Sequence, residues 1–202
     1  MSELKYYYGD PLKGKIILLN GSMGTGKDVA ADQLAEALGC YKHEFKSTIF
    51  NIALAITGLS REAFFALYND RDIKENPRPE FFGMSARELM IWISEDVCKP
   101  KFGKQYFGKP AANGIDPEVG AVFSDSGFPE EVYPLAERFG AENIYVVRFT
   151  RNGSEYDEND SRRFLTEQGC PKGTNFINLT NDGDLNDFVN TVSGWVMGED
   201  NG

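Results

Sequence analysis

A glycine-rich stretch near the start of the chain, GSMGTGKD at residues 21–28, carries the residue types of a phosphate-binding loop. Two glycines bracket four residues and Lys27 follows, a spacing that lets successive backbone N–H groups turn inward around a phosphate group. The Lys27 ammonium would then bridge the outer phosphates of a nucleoside triphosphate. An ordinary glycine-rich turn is the alternative. The candidate nucleotide-binding residues of this loop are Gly21, Met23, Gly24, Thr25, Gly26, Lys27, Asp28 and Val29.

Asp28 stands where a loop of this kind usually carries a serine or threonine. In the first turn of the following helix, a carboxylate is favoured by the helix dipole. Magnesium prefers hard oxygen ligands, either directly or through water. Asp28 is therefore a candidate magnesium ligand. The alternative is that it only stabilises the helix while the metal is held elsewhere.

A second carboxylate, Asp125, ends the apolar run AVFSD at residues 121–125. If this run is a strand beside the one that precedes the glycine-rich loop, Asp125 can order magnesium-bound waters or orient a phosphate acceptor. Asp125 is thus a candidate catalytic and magnesium-binding residue. The alternative is a carboxylate that caps the next helix.

Cationic side chains that could meet an anionic substrate occur in two stretches. Arg71 and Lys74 are three residues apart and Arg87 lies near the start of a predicted helix, so they could face one anionic pocket. Cations placed around a migrating phosphoryl group favour its transfer, and a closing lid excludes water. Solvation at the surface is the alternative for each. The arginines of the second stretch are Arg148, Arg151, Arg162 and Arg163.

The periodicity of the chain predicts the elements that must position these residues. Short apolar runs predict strands at 15–20, 121–125, 143–149 and 175–179. Helical spacing predicts helices at 29–38, 45–57, from Ser60 onward, 85–97, 129–140 and 185–196, with Ser60 and Ser85 as N-caps. Strands that alternate with helices predict a three-layer α/β/α fold with a parallel sheet covered on both faces. Ligands of such folds bind beyond the C-terminal ends of the strands.

Length and composition favour one globular domain. The chain has 202 residues, of which 41% are hydrophobic, enough for one well-buried core. A formal net charge of −10 disfavours a nucleic-acid polymer as partner and is compatible with a small phosphorylated ligand. No signal core or membrane-length apolar run is recognisable, which predicts a cytoplasmic protein without a membrane partner. Three widely spaced cysteines argue against a disulfide framework or a zinc site.

Several motifs together resemble the deoxynucleoside monophosphate kinases of tailed phages. The loop GTGKD is followed by AAD, and an R-x-x-K-E pattern begins at Arg71. Further on, S-x-R-x-L-M begins at Ser85, SDSGFPEE at Ser124 and TNDGDL at Thr180. The resemblance covers about residues 15–192 in the order of that family. It rests on the joint occurrence of the motifs, since several of them are short.

This resemblance implies a P-loop kinase that moves the terminal phosphoryl group of ATP, with Mg²⁺, onto a (deoxy)nucleoside 5′-monophosphate. It implies one domain over residues 1–202, with a core at about 15–44 and 118–197, a helical acceptor-binding region at about 45–117 and a lid at about 150–173. The residues implied to bind the acceptor are Lys46, Arg71, Lys74, Arg87, Phe107, Asp125 and Glu131. Those implied to bind ATP outside the loop are Arg148, Asn181 and Asp182. Lys27 and Asp125 are predicted to act in catalysis together with one or two arginines of the lid region, among which Arg162 is the candidate chosen and the others stay open.

Some of these residues have plainer interpretations when each is taken alone. Glu131 reads as a solvated helix residue, and Phe107 as a core aromatic rather than a ring that stacks on the acceptor base. Asn181 and Asp182 read as a plain N-D-G turn that needs no ligand.

The chain also departs from the family pattern at three points. Relatives often supply a hydroxyl one residue after the loop aspartate, where this chain has Val29, and commonly carry an arginine two residues after the strand aspartate, where it has Gly127. In the lid they tend to have His and Glu, whereas this chain reads NDSR. The alternatives are therefore a kinase for another phosphorylated acceptor, of phosphomevalonate or dephospho-coenzyme A type, or a nucleotide-binding module without catalysis.

The resemblance further implies a homodimer, in the host cytoplasm if the protein is phage-encoded.

Overall fold

A computed structural model describes residues 3–9, 12–70, 74–151 and 162–199 of the chain. The chain packs as two compact units. The first, called the sheet unit below, comprises Met1–Phe45 and Gly108–Gly202, and the second, called the helical unit, comprises Lys46–Phe107.

A five-stranded, all-parallel sheet with helices on both faces forms the sheet unit, so this part of the chain is an α/β fold as predicted. The strand order is β2-β3-β1-β4-β5, which places β1 in the middle. The strands are β1 Ile16–Asn20, β2 Tyr41–His43, β3 Ala121–Ser126, β4 Ile144–Thr150 and β5 Asn175–Thr180.

The four predicted strands agree with β1, β3, β4 and β5 to within one residue at each end. The edge strand β2 was not predicted. It has only three residues, and Tyr41 is exposed while Lys42 and His43 are half-buried, so it lacks the apolar run on which the prediction depends.

Side chains that alternate along the strands build one core on each face of the sheet. Ile17, Leu19 and Val122 pack on the face covered by the first and last helices of the unit. Ile16, Leu18 and Phe123 pack on the opposite face. The described helices of the sheet unit are α1 Lys27–Leu38, α6 Gly108–Asn113, α7 Pro129–Phe139, a 3₁₀-helix at Ala141–Asn143 and α8 Leu185–Met197.

The helical unit has its own aromatic-rich core, in which Phe50, Phe64 and Phe81 are buried. Among its described residues, the helices are α2 Ser47–Thr57, α3 Arg61–Asn69, a 3₁₀-helix at Pro79–Phe81, α4 Ala86–Ile91, a π-helix at Trp92–Cys98 and α5 Lys99–Phe102. The predicted N-caps are confirmed: the Ser60 side chain accepts a hydrogen bond from Ala63 N, and Ser85 forms a capping box with Glu88.

The helix predicted at 85–97 is present but changes its winding at Trp92, where the α-helix becomes a π-helix. Leu89 and Ile93 are both fully buried on either side of that change. Helical periodicity in the sequence does not separate the two windings, because both place buried residues about one turn apart.

No single helix in the described ranges is long and apolar enough to cross a membrane. Helices α2 and α3 taken together, with a bend of 113° between them, have the length and the apolar composition of a membrane-spanning segment.

Candidate active site

The expected ligand crevice lies at the C-terminal ends of β1 and β3. From β1 the chain passes through α1 to β2, which lies beyond β3, and from β3 it passes through α7 to β4 on the other side of β1. The connections thus leave β1 and β3 in opposite directions. Ligands of open α/β sheets bind beyond the strand ends at such a switch point. The glycine-rich loop follows β1 at this point, and Asp125 lies near the end of β3.

Two different constraints require the glycines of the loop. Gly24 and Gly26 have φ of 84° and 95°, in the left-handed region that side chains disfavour. A Cβ on Gly21 would lie 2.2 Å from the carbonyl oxygen of Phe149, so only glycine fits between β1 and β4 there. The loop tip is open, since the Met23 side chain is exposed.

Lys27, the first residue of α1, holds its ammonium against the loop. Its Nζ donates to the carbonyl oxygen of Ser22 at 2.6 Å and lies 3.4 Å from Thr25 Oγ1. Thr25 Oγ1 itself donates to Ser22 O at 3.0 Å, and Lys27 is only 8% exposed. An ammonium so buried needs oxygen partners. An anion bound by the loop would meet this group directly.

Asp28, the second residue of α1, receives a hydrogen bond from β3. Ser124 Oγ donates to Asp28 Oδ1 at 2.8 Å, and Ser124 is 2% exposed. Lys42 on β2 forms an ion pair with Asp32 at 2.8 Å and lies 3.9 Å from Asp28 Oδ1. The Asp28 side chain is nevertheless 68% exposed. Sequence reasoning missed Ser124 and Lys42.

Asp125 points to the other face of the sheet, because adjacent residues of a strand face opposite ways. Its Oδ1 accepts a hydrogen bond from the backbone N–H of Phe45 at 3.0 Å. It does not cap α7, whose N-cap residue Phe128 makes no side-chain capping bond and whose first turn starts at Pro129. The capping alternative for Asp125 is therefore wrong for this helix. Ser124, and not Asp125, is the β3 residue that meets Asp28.

Asn20, the last residue of β1, is fully buried and joins three segments. Its Nδ2 donates to Ser126 O and to Arg163 O, both at 3.1 Å. Its Oδ1 accepts from Leu165 N at 2.7 Å. The amide side chain supplies both the donors and the acceptor that these backbone groups require. Asn20 therefore fixes the segment after residue 161 to the end of the sheet.

Arg162, predicted to act in catalysis, lies against Gly127. A Cβ on Gly127 would be 2.7 Å from both Cβ and Cγ of Arg162. Arg163 N also donates to Gly127 O at 3.3 Å. The remainder of the predicted lid, from residue 152 to 161, lies outside the described residues.

A pocket of about 390 Å³ lies between the start of α1 and the turn that follows β5. Its volume is within the range of small-molecule sites. Asn181 fixes this turn to the loop, because its Nδ2 donates to Thr25 O at 3.0 Å. The pocket is lined by Gly26, Val29, Arg151, Asn181, Asp182, Gly183 and Leu185.

Arg148, predicted to bind ATP, makes several contacts within the sheet unit. Its Nε donates to Leu165 O at 2.7 Å, and one terminal nitrogen lies 3.4 Å from Glu167 Oε1. The guanidinium also lies over the Phe176 ring, 4.6 Å from its centroid. These contacts hold the 165–167 segment against β4 and β5. The ATP-binding role of Arg148 stays a prediction.

Glu131 in the first turn of α7 is buried, with 6% exposure, and is not the solvated residue that its sequence context favoured. Gly108 packs against it so closely that a Cβ there would lie 2.7 Å from Glu131 O. The acceptor-binding role of Glu131 stays a prediction.

Within the helical unit, two of the predicted acceptor-binding cations already have neighbours. Arg87 Nε forms an ion pair with Glu75 Oε1 at 3.0 Å, with both side chains about half exposed. Lys74 Nζ lies 4.0 Å from the centroid of the Tyr68 ring. Exposed pairs of this kind contribute little to stability and can exchange for a ligand.

The other residues assigned to acceptor binding differ in setting. Phe107 is 1% exposed and packs edge-on against Tyr106, which are the contacts of a core aromatic. Lys46 is half-buried and precedes α2, where its carbonyl oxygen accepts from Phe50 N. Arg71 lies outside the described residues.

The donor set near the loop fits a magnesium ion that is bound together with a nucleotide. Such ions are held by one or two carboxylates, phosphate oxygens and waters. Asp28 offers an exposed carboxylate next to the loop. Across the described part of the chain, no three or more His, Cys, Asp or Glu side chains group together as metal ligands.

A scan against protein-family models finds no match for this chain, and a search of curated proteins finds no significant match.

Proposed function

We propose that this chain is a P-loop kinase that transfers the terminal phosphoryl group of ATP to a (deoxy)nucleoside 5′-monophosphate. The observation that carries the proposal is the position of Lys27. Its ammonium is buried against a glycine-rich loop, and that loop follows the central strand at the switch point of a parallel sheet. Main-chain amides, a helix N-terminus and one ammonium together make a site for the phosphates of a nucleotide.

The donor nucleotide would extend from the loop into the pocket of about 390 Å³. Gly26 belongs to both the loop and the pocket wall, and Asn181 links the loop to the turn that forms the opposite wall. A base in this pocket would be contacted by Asn181 and Asp182, as the resemblance implies. The phosphates would then reach Lys27 without crossing another element of the sheet unit.

Transfer would proceed in line, without a covalent intermediate on the protein, because phosphoryl transfer depends mainly on positioning and on charge stabilisation. Lys27 would hold the outer phosphates, Asp125 would orient the acceptor, and Arg162 would meet the charge of the transferred group. Mg²⁺ held through Asp28 would neutralise charge on the phosphates when bound. The predicted magnesium contact of Asp125 is not part of this proposal, because Asp125 faces the other side of the sheet from Asp28.

The acceptor class is proposed from the sequence resemblance. Cationic and buried acidic residues support an acceptor that carries a phosphate and further polar groups. The residues proposed to bind it are Lys46, Arg71, Lys74, Arg87, Asp125 and Glu131. Phe107 is left out, because its ring is buried in the core of the helical unit. A cytoplasmic location and a homodimer are proposed on the same basis.

A coupled assay of ADP release, with each natural nucleoside monophosphate and deoxynucleoside monophosphate as acceptor, tests the proposal. We expect magnesium-dependent turnover with at least one of them. Turnover only with phosphomevalonate or dephospho-coenzyme A would keep the kinase chemistry but contradict the acceptor. Binding of ATP by calorimetry, without ADP release for any acceptor, would identify a binding module. An absence of ATP binding would contradict the proposal as a whole.

A further inference from the structure

The hydrogen bond between Ser124 and Asp28 joins the two positions that carry the metal in other phosphate-binding loops. In P-loop NTPases, Mg²⁺ is held by a hydroxyl on the residue after the loop lysine and by a carboxylate at the end of a neighbouring strand. Asp28 is the residue after Lys27, and Ser124 lies near the end of β3, the strand beside β1. Here the residue after the lysine is a carboxylate, and its hydrogen-bond partner on the strand is the hydroxyl of Ser124. The strand carboxylate, Asp125, faces the other side of the sheet and accepts from Phe45 N.

We propose that the metal-organising pair of this chain has exchanged positions, so that Asp28 supplies the carboxylate and Ser124 supplies the hydroxyl that orients it. This inference rests on the proposed function. It accounts for two departures from the usual loop sequence at once. Residue 28 lacks the hydroxyl that such loops usually carry, and residue 29 lacks the hydroxyl that relatives often supply instead. Ser124 is a positioning residue in this arrangement, acting through Asp28.

The geometry leaves one side of the carboxylate available to a metal. Ser124 Oγ donates to Oδ1 at 2.8 Å from a buried position, so this oxygen is held from the side of the sheet. Lys42 lies 3.9 Å from the same oxygen and makes its closer contact, at 2.8 Å, with Asp32. The side chain of Asp28 remains 68% exposed. Hydrogen bonding of a metal-binding carboxylate by a neighbour fixes its orientation.

The competing explanation is that Ser124 only ties α1 to β3. A structural tie would affect the stability of the fold and would leave the effect of magnesium on ATP binding unchanged. The ratio of ATP affinities with and without magnesium separates the two explanations. The ratio is the better measure because Asp28 also repels metal-free ATP, so its removal changes both affinities.

The experiment measures ATP binding by isothermal titration calorimetry, with Mg²⁺ and with EDTA, and unfolding by circular dichroism. The variants are Asp28→Ser, Ser124→Ala and the exchanged double variant Asp28→Ser/Ser124→Asp. Ser126→Ala is the matched control, because Ser126 is equally buried on the same strand but donates to the carbonyl oxygen of Leu19.

We expect the magnesium effect on ATP affinity to fall about tenfold or more in Asp28→Ser and in Ser124→Ala, as for other residues that orient a metal ligand. The double variant should recover most of it, since the same two groups are restored in the reverse order. Ser126→Ala should lose stability and keep the magnesium effect.

The inference is overturned if Ser124→Ala keeps the magnesium effect of the wild type, whatever happens to its stability. It is also overturned if a folded double variant behaves like Asp28→Ser. If the double variant does not fold, Ser124→Ala decides alone. A wild-type protein that binds no ATP under either condition would instead contradict the proposed function, so the two failures are distinguishable.

Discussion

The aliphatic stem of Arg162 lies directly over Gly127, and a Cβ at residue 127 would come within 2.7 Å of both Cβ and Cγ of Arg162. In the kinases that the sequence resembles, an arginine commonly stands at this point of the turn after β3. Here the turn carries glycine, and an arginine from a distant segment of the sequence covers it. The absence of a side chain at residue 127 is thus a condition for the observed position of Arg162.

Replacing Gly127 by alanine should therefore lower turnover through Arg162. The added methyl group must displace the arginine stem, and a misplacement of about 1 Å can cost about 10²-fold in rate. We expect a fall in kcat of about 10-fold to 10²-fold in the ADP-release assay. Arg162→Ala should be comparably impaired, and the double variant should be little worse than either, because both changes remove the same interaction.

Gly114→Ala is the control for this series. A Cβ there would make only ordinary contacts, at 3.4 Å to Pro110 O and 3.7 Å to Ala111 O. Additive losses in the Gly127→Ala/Arg162→Ala variant would show that the two residues act independently.

Lys27→Ala should abolish most of the turnover. Its ammonium is the cation held against the loop, and loss of one preorganised charge-stabilising group typically costs about 10²-fold to 10³-fold in kcat. Steady-state ADP release measures the loss, and Lys172→Ala, at an exposed lysine of the same unit, is the control. Turnover at the wild-type rate in Lys27→Ala would contradict the mechanism.

Asn20→Ala should destabilise the protein. The change removes the donor for Ser126 O and Arg163 O and the acceptor for Leu165 N, all in a buried setting. Unsatisfied buried groups cost about 1–3 kcal/mol each, so the loss of these three bonds predicts a fall of at least about 3 kcal/mol in the free energy of unfolding. Urea denaturation measures it. Asn113→Ala, at an exposed asparagine, should change the free energy by less than about 0.5 kcal/mol.

Cys40 should react slowly with thiol reagents in the native protein. Burial raises the pKa of its thiol from 9.0 to about 12. Only the thiolate is nucleophilic, so near neutral pH the folded chain holds about 10³-fold less of it at this residue than the unfolded chain. Labelling with a chromogenic disulfide, before and after urea unfolding, measures the difference. Rapid labelling of native Cys40 would contradict this environment.

The same shift predicts a loss of stability in alkali. The pKa of Cys40 is higher in the folded state than in the unfolded chain. The protonated thiol therefore contributes fully to stability below pH 9.0. This contribution is lost as the pH rises toward about 12, because the unfolded chain gains stability by releasing the proton first. Unfolding experiments on the wild type and Cys40→Ala across this range should show a smaller alkaline loss in the variant.

The regular elements of the sheet unit were largely predictable, because four of its strands are apolar runs that end at turns. The glycine-rich loop was also recognisable, since its glycines, its lysine and its strand and helix neighbours are adjacent in sequence. Patterns formed by residues adjacent in sequence can be recognised from a single sequence, without an alignment of homologues.

The contacts that surround the loop were not predictable in the same way. Ser124 and Asp28 are separated by 96 residues, and Asn20 and Leu165 by 145. Strand alternation places Ser124 on the same face as Val122, toward α1, but this follows only once the order of the strands is known. In the sequence, Gly127 stood out only as a departure from a family pattern. Its neighbour Arg162 belongs to a distant segment, and no local sequence pattern connects the two residues.

The central place of β1 also bears on how the loop moves. All five residues of β1 are fully buried, and the strand is hydrogen-bonded to neighbours on both sides. Amide hydrogens in such a strand exchange with deuterium only when the whole molecule opens, whereas an exposed tip such as Met23 exchanges through small local fluctuations. The start of the loop is therefore held by β1, whereas its tip around Met23 is free to adjust. A ligand that binds at the tip can change its conformation without disturbing β1.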